Sequence, residues 1–383
     1  MKDSPLGVLF RVSLFGESHG CCVGVMVEGV PPGLKVSEDY INSELARRRP
    51  GKRFTTARRE TDKVEVLSGV YMGYTTGAPI TMIIRNIDVD SSFYEEVVRF
   101  MPRPGHADLP SRLRSMGFED YRGGGPFSGR LTAGLVAAGA IAKKILEEYG
   151  ISVFAYVKKL GSVNCHLEEP LPMSSRELKR LVDERDSSPF YCPDKNATER
   201  MTQEVAAKLR EGGSIGGQVE VLAFNVPPGL GEPLGDSLDG DIAKALFSIP
   251  GVKAVEFGSG IKLAEMTGKE ARDSIVVKEG RLRVEPGHGG GVLGGLSTGS
   301  TIRVTATLKP TSSIPIPQQT IDWRGIEPVE LRSWGRHDPT IVIRATPAAE
   351  AAVAIILADH LLRWMPYRIA HYYRLEAGAN ESS

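Results

Sequence analysis

The chain has 383 residues, with 47 Lys+Arg against 47 Asp+Glu, 41% hydrophobic and 25% charged residues. That length supports one large domain or two with a sizeable core; the zero net charge speaks against a dedicated nucleic-acid binder, and the composition against a disordered or fibrous chain. Its 43 glycines, about 11% against a usual ~7%, imply many tight turns or close backbone approaches.

In chain order, the N-terminal stretch 6–12 is broken by Arg11 and lacks a signal-peptide core. No run approaches the ~18 apolar residues of a membrane span. Cys21, Cys22, Cys165 and Cys192 show no CxxC spacing, the pattern of a reducing compartment. The expectation is a cytoplasmic protein without membrane contact.

Cys21–Val27 reads as a strand, and Val30-Pro31-Pro32-Gly33-Leu34 follows. This pentapeptide recurs as Val226-Pro227-Pro228-Gly229-Leu230, with Ser18, Gly20, Val23 and Val25 at the offsets of Ser214, Gly216, Val219 and Val221. Thr75-Thr76-Gly77 resembles Ser297-Thr298-Gly299, and each half then presents an Arg/His/Asp cluster: Arg103, His106, Asp108 and Arg336, His337, Asp338. Each half closes with an apolar helix, about 132–149 and 346–364, the second capped by Thr346 with Pro347 in its first turn. Thr301–Leu308 alternates with period two, and 275–277 with 281–284 reads as a hairpin around Gly280. Hairpin-joined strands make antiparallel sheets, and the helices must cover one face of each. The expected fold is therefore α+β, a single catalytic domain over 1–383. Its pseudo-two-fold related halves lie at about 1–150 and 205–365, and a polar insert at about 151–204.

Arg47, Arg48, Arg49, Lys52, Arg53, Arg58 and Arg59 crowd thirteen residues, interrupted by Pro50 and Gly51, and read as a loop. Arginine forks suit phosphate and carboxylate, so a small polyanion is the natural ligand. A nucleic-acid patch is the alternative, but only Phe54 interleaves the run. His19, His106 and His337 stand in Gly- or Pro-bounded loops as candidate acids or bases. Gly16-x-Ser18-x-Gly20 fits a nucleophile elbow by spelling, but a strand follows where a helix is required. Gly289–Gly294 matches G-x-G-x-x-G, yet the first acidic residue after it is Asp322, so the dinucleotide fingerprint fails. Arg122–Arg130 is a glycine-rich loop running into a helix, which suits an anion. Lys309-Pro310-Thr311-Ser312-Ser313 ends a strand with one cation and three hydroxyls. No metal-ligand spacing is present.

Phe15–Gly20, Val30–Gly33, Arg47–Gly51, Arg103–Asp108, Asp120–Gly125, Gly294-Gly295, Lys309–Ser313 and Gly335–Pro339 together resemble chorismate synthase over nearly the whole chain. The resemblance implies a duplicated β-α-β sandwich, usually homotetrameric. It implies the anti-1,4-elimination of phosphate and the C6 proton from 5-enolpyruvylshikimate 3-phosphate, at the end of the shikimate pathway, with reduced FMN (FMNH2) and no net redox change. It gives His19, His106 and Asp338 catalytic roles. His19 protonates the leaving phosphate, His106 stabilises the reduced flavin, and Asp338 relays a proton. Ser18, Arg48, Arg53, Arg130 and Arg344 become substrate ligands. Arg103, Ser128, Gly294, Lys309, Pro310, Thr311, Ser312, Ser313 and Arg336 become flavin ligands. Pro126-Phe127 and Pro250-Gly251 depart from the family's usual residues. No extra reductase domain is evident, so a separate flavin reductase is the expected partner. A flavin- or nicotinamide-dependent oxidoreductase is the enzymatic alternative.

Overall fold

Short alternating segments pair into two open antiparallel sheets, and the two most apolar helices fill the space between them. The computed structural model describes residues 5–51, 53–55, 61–167, 171, 174–278, 280–334 and 338–381, without the side chains of Arg281 and of residues 367–381.

The first half contains β1 (Arg11–Gly16), β2 (Cys22–Glu28), α1 (Glu38–Arg48), β3 (Val64–Val66), the small hairpin β4 (Val70–Tyr71) and β5 (Tyr74–Thr75), and β6 (Ile80–Arg85). After α2 (Asp108–Ser115) it closes with α3 (Thr132–Glu147). Its sheet has the order β1-β2-β6-β3. Then come β7 (Ser152–Leu160), β8 (Val163–Asn164), α4 (Ser175–Ser187), α5 (Lys195–Arg210), β9 (Gly217–Phe224), α6 (Leu238–Phe247) and β10 (Val252–Phe257). The hairpin β11 (Ile275–Lys278) and β12 (Arg281–Val284) precedes β13 (Val292–Leu293), β14 (Leu296–Ser297) and β15 (Ile302–Leu308). A last hairpin, β16 (Gln318–Asp322) and β17 (Glu327–Leu331), leads to α7 (Val342–Glu381). The second sheet has the order β10-β15-β9-β7-β8. Without the edge strand β8, it repeats the first sheet strand for strand.

The repeat extends to single hydrogen bonds. Thr75 Oγ1 donates to Pro31 O (2.6 Å) and accepts from Leu34 N (3.0 Å); Ser297 Oγ donates to Pro227 O (2.6 Å) and accepts from Leu230 N (2.9 Å). Gly33 and Gly229 sit at φ +86° and +92°, which explains the glycine in both pentapeptides.

Two boundaries differ from the sequence reading. The segment expected to open the insert holds β7, the counterpart of β1, so the inserted material in the second half is α4 and α5. Polar residues flanking Val153–Val157 mask an ordinary core strand. The last helix begins at Val342, not Thr346. Thr340 Oγ1 accepts from Val342 N (3.3 Å), and Thr346 instead bonds back to Val342 O (2.9 Å). The helix runs to Glu381, beyond the expected end near 364.

All but three of the sixteen residues of α3 are buried, as befits a helix apolar all round. The stretch Val342–Pro366 is long and apolar enough to cross a membrane, contrary to the sequence expectation, but 94% of its apolar window is covered inside the fold. It is a core helix, packed on α3 and on the second sheet. At the α3–α7 crossing, a Cβ on Gly139 would lie 2.7 Å from Ala351 Cα, against backbone that cannot yield cheaply. Gly139→Ala is therefore expected to lower the urea midpoint. Overpacking costs about 1–3 kcal/mol, which exceeds the ~1 kcal/mol helix-propensity gain. A raised midpoint would show that the crossing can spread.

Candidate active site

A cleft of about 660 Å³ opens where loops of both halves meet. The first half supplies Ser18 after β1, Tyr94, Arg103–Ala107 before α2, and the turn 123–130 before α3; the second supplies 248–251, Lys253, Lys309–Ser313 after β15, and Asp338 and Arg344 at the start of α7.

The two histidines of the first half lie under the glycine turn. His19 is 6% exposed. Its Nδ1 is 2.9 Å from Ser91 Oγ, and its ring meets Tyr94 edge to face at 4.9 Å. Gly123, Gly124 and Gly125 all have positive φ (61°, 83° and 51°). A Cβ on Gly123 would sit 2.6 Å from His19 Nε2, and one on Gly124 would sit 2.8 Å from His106 Cε1. The glycines are thus required for clearance above two imidazoles, a reason the anion-cradle reading does not supply. His106 Nδ1 is 2.5 Å from Asp108 Oδ1. Arg103 forks onto the same carboxylate (2.8 and 2.9 Å) and reaches Ser313 Oγ (3.3 Å). Burial alone would raise the Asp108 pKa, but the hydrogen bonds from Arg103 and His106 hold it well below the usual carboxylate range. Asp108 is therefore an anion that orients His106.

The arginines do not act as one patch. Arg47 and Arg48 belong to the last turn of α1, not to a loop. Arg47 turns away from the cleft to Glu350 (2.6 Å). Arg48, only 1% exposed, donates to Thr132 Oγ1 (2.8 Å), Gly129 O (2.8 Å) and Asp62 Oδ2 (3.3 Å). Arg130 donates to Asn86 Oδ1 (2.9 Å), Arg85 O (3.2 Å) and Asp62 Oδ1. Arg344 bonds Asp338 Oδ2 (3.3 Å) and Arg48 O (3.3 Å). Arg48, Arg130 and Arg344 all reach the cleft wall. Burial opposes the charge on Asp62, but Arg48 and Arg130 overcome it and lower its pKa.

Ser18, Arg103, Ser128, Lys309, Pro310, Thr311, Ser312, Ser313 and Asp338 also line the cleft, as do the departing residues Pro126, Phe127, Pro250 and Gly251. Gly251, at φ +94°, lies against Ile341, so a side chain there meets both strain and a clash. Lys309 donates to Gly105 O; burial, then Lys253 and Arg103, lower its pKa. Among the described residues, His19 (which lies against Gly123), Arg53 and Gly294 are not on this wall. Arg53 is exposed, with its guanidinium 4.9 Å from the Phe54 ring centroid. Gly294 sits at the tip of the β13–β14 hairpin at φ +59°, which also explains the failed dinucleotide motif. Arg336 lies outside the described residues, as do His337, Lys52, Arg58 and Arg59. Among the described residues, no group of three His, Cys, Asp or Glu is placed to hold a metal. The sequence reading missed Asp62, Ser91, Tyr94, Asn86 and Lys253. Each is an ordinary residue in ordinary context, and only the fold brings it to the site.

The profile of a family described as chorismate synthase matches residues 10–362. The chorismate synthase of Aeropyrum pernix is 54% identical over 94% of this chain and 93% of that protein. That of Thermococcus gammatolerans is 50% identical over 93% and 97%. A solved structure titled "Crystal Structure of Chorismate Synthase" superposes with a TM-score of 0.71 at 30% identity, covering 93% of this chain and 92% of the other. Profile, relatives and structure agree over nearly the full length, and the chain belongs to the chorismate synthase family.

Proposed function

We propose that the cleft binds 5-enolpyruvylshikimate 3-phosphate together with reduced FMN, and that this lyase expels phosphate and the C6 proton to form chorismate there. The observation that carries the assignment is the convergence of His19 and His106 under one glycine turn beside Arg48, Arg130 and Arg344.

The substrate carries two carboxylates and a phosphate, and the three arginines supply charge-assisted donors for them. Donors fixed before reaction stabilise the charge that develops on the departing phosphate oxygen. His19 is oriented through Nδ1 by Ser91, and its Nε2, beside Ser18 and Gly123, is the atom we assign as proton donor to that oxygen. Asp338, held by Arg344, is the carboxylate available to carry a proton.

The donor set also suits a flavin mononucleotide. Thr311 Oγ1 is buried with no partner among the described residues, and it stands beside Lys309, Ser312 and Ser313 on the same wall. These groups, with Arg103 and Ser128, would hold the cofactor's polar edge and phosphate, and His106 would face it. Reduced flavin supplies the electron density and the proton acceptor that an unacidified ring C–H demands.

The reading extends to a cytoplasmic homotetramer served by a separate flavin reductase. The β11–β12 hairpin supports the assembly, since it holds Ile275, Val277 and Leu282 at 75%, 71% and 80% exposure.

The test is an anaerobic assay with and without pre-reduced FMN. Turnover should require the reduced flavin, release one phosphate per chorismate, and leave the flavin reduced. Stoichiometric consumption of NAD(P)H would mark an oxidoreductase instead.

A further inference from the structure

Asp62 has no place in the reaction scheme, yet its side chain is fully buried between two of the cleft's arginines. Each carboxylate oxygen serves one guanidinium: Oδ2 takes Arg48 Nη1 at 3.3 Å and Oδ1 takes Arg130 Nη1. Arg48 comes from the end of α1 and Arg130 from the turn before α3, so this one residue sets the spacing of groups that are 82 positions apart. Its backbone is held at φ +41°, a region aspartate enters at a cost. Other contacts aim each arginine: Thr132 Oγ1 and Gly129 O for Arg48, and Asn86 Oδ1 and Arg85 O for Arg130. Asp62 forms an ion pair with both arginines.

We infer that Asp62 is the positioning residue of the anion clamp: its buried carboxylate fixes the separation of Arg48 and Arg130, and through it the fit to a substrate bearing carboxylates and a phosphate. The inference rests on the proposed assignment of these arginines as substrate ligands. Without the carboxylate, two like-charged guanidiniums face each other in a buried site and move apart. Displacement of a binding group by about 1 Å can cost up to ~100-fold in rate.

The experiment compares Asp62→Asn, Asp62→Glu, Arg48→Lys and Arg130→Lys with the parent enzyme. Four quantities are read: KM and kcat for the enolpyruvyl substrate with reduced FMN, FMN affinity by fluorescence, and Tm. Asp62→Asn should raise KM by about 10-fold or more, with FMN affinity kept within about 2-fold. Asp62→Glu, which retains the charge, should recover at least half of that loss on a logarithmic scale. Three results would overturn the inference. One is an unchanged KM in Asp62→Asn while the arginine variants raise theirs. The second is a parallel loss of substrate affinity, FMN affinity and Tm in both aspartate variants, which would make Asp62 a general fold residue. The third is an unchanged KM in all four variants, which would remove the clamp assignment itself and the inference with it.

Discussion

Replacing His19 by alanine is expected to lower kcat by about 100-fold or more, the usual contribution of a positioned general acid, with Tm and flavin affinity nearly unchanged. The imidazole is 6% exposed and held by Ser91 and Tyr94. Its loss leaves a small void behind Ser18 and Gly123 and removes no partner of the buried ion pairs of Arg48 or Arg103. The remaining arginines still bind the substrate, so KM should change much less than kcat, the signature of an interaction made mainly in the transition state. A His19→Ala protein that folds and retains full turnover would remove His19 as the proton donor. A rise in KM alone would make it a binding group. Ser91→Ala offers a graded version. The ring stays but loses its Nδ1 partner, so the expected loss is smaller.

The role proposed for His19 comes from the family resemblance that Phe15–Gly20 helps to carry, and the duplication was readable because Val-Pro-Pro-Gly-Leu occurs twice. The structure adds why the strings look as they do. Gly123 and Gly124 make room for His19 and His106, whereas glycines before a helix suggested an anion cradle. Asp62 carries no such mark. It follows a polar stretch, and its meaning comes from residues 14 and 68 positions away. The strand β7 was hidden for a related reason. Helices α4 and α5 give the whole segment a polar character, while the strand's core-facing residues match those of β9, which lies beyond the insert. Local patterns thus revealed the elements and the loops with unusual spelling. Pairings made only in three dimensions stayed out of reach. The arginine run shows both outcomes at once, with neighbouring Arg47 and Arg48 pointing to different partners.

Arg47's partner is the subject of the second large prediction. Glu350, on α7, is 2% exposed. It binds Arg47 of α1 (2.6 and 3.0 Å), Arg185 of α4 (2.8 Å), Lys143 of α3 and the backbone N–H of Ala155 in β7 (2.9 Å). One carboxylate thus joins four helices and a strand. Glu44 shares Arg47 and Lys143 (2.9 and 2.8 Å), and Asp186 shares Arg185 (2.9 Å), so the cluster is balanced only while Glu350 is ionised. Glu350→Gln keeps the shape and removes the charge, leaving buried cations under-compensated. Breaking a buried pair in this way costs about 3–5 kcal/mol, enough to lower the denaturant midpoint strongly. The folded enzyme at neutral pH should keep its kcat, because none of the bonds described for Glu350 is to a residue of the cleft wall. The pH dependence has a definite sign. Burial alone would raise the Glu350 pKa, but Arg47, Lys143 and Arg185 hold it well below its ordinary 4.5. Its contribution is therefore complete above about 4.5 and is lost as pH falls through the lower folded-state value. The stability gap between parent and Glu350→Gln should be constant from neutral pH down to about 4.5 and narrow below it. A gap under about 1 kcal/mol at neutral pH would mean that the three cations find other partners without Glu350, and that the centre of the fold is held by α3 and α7 packing alone.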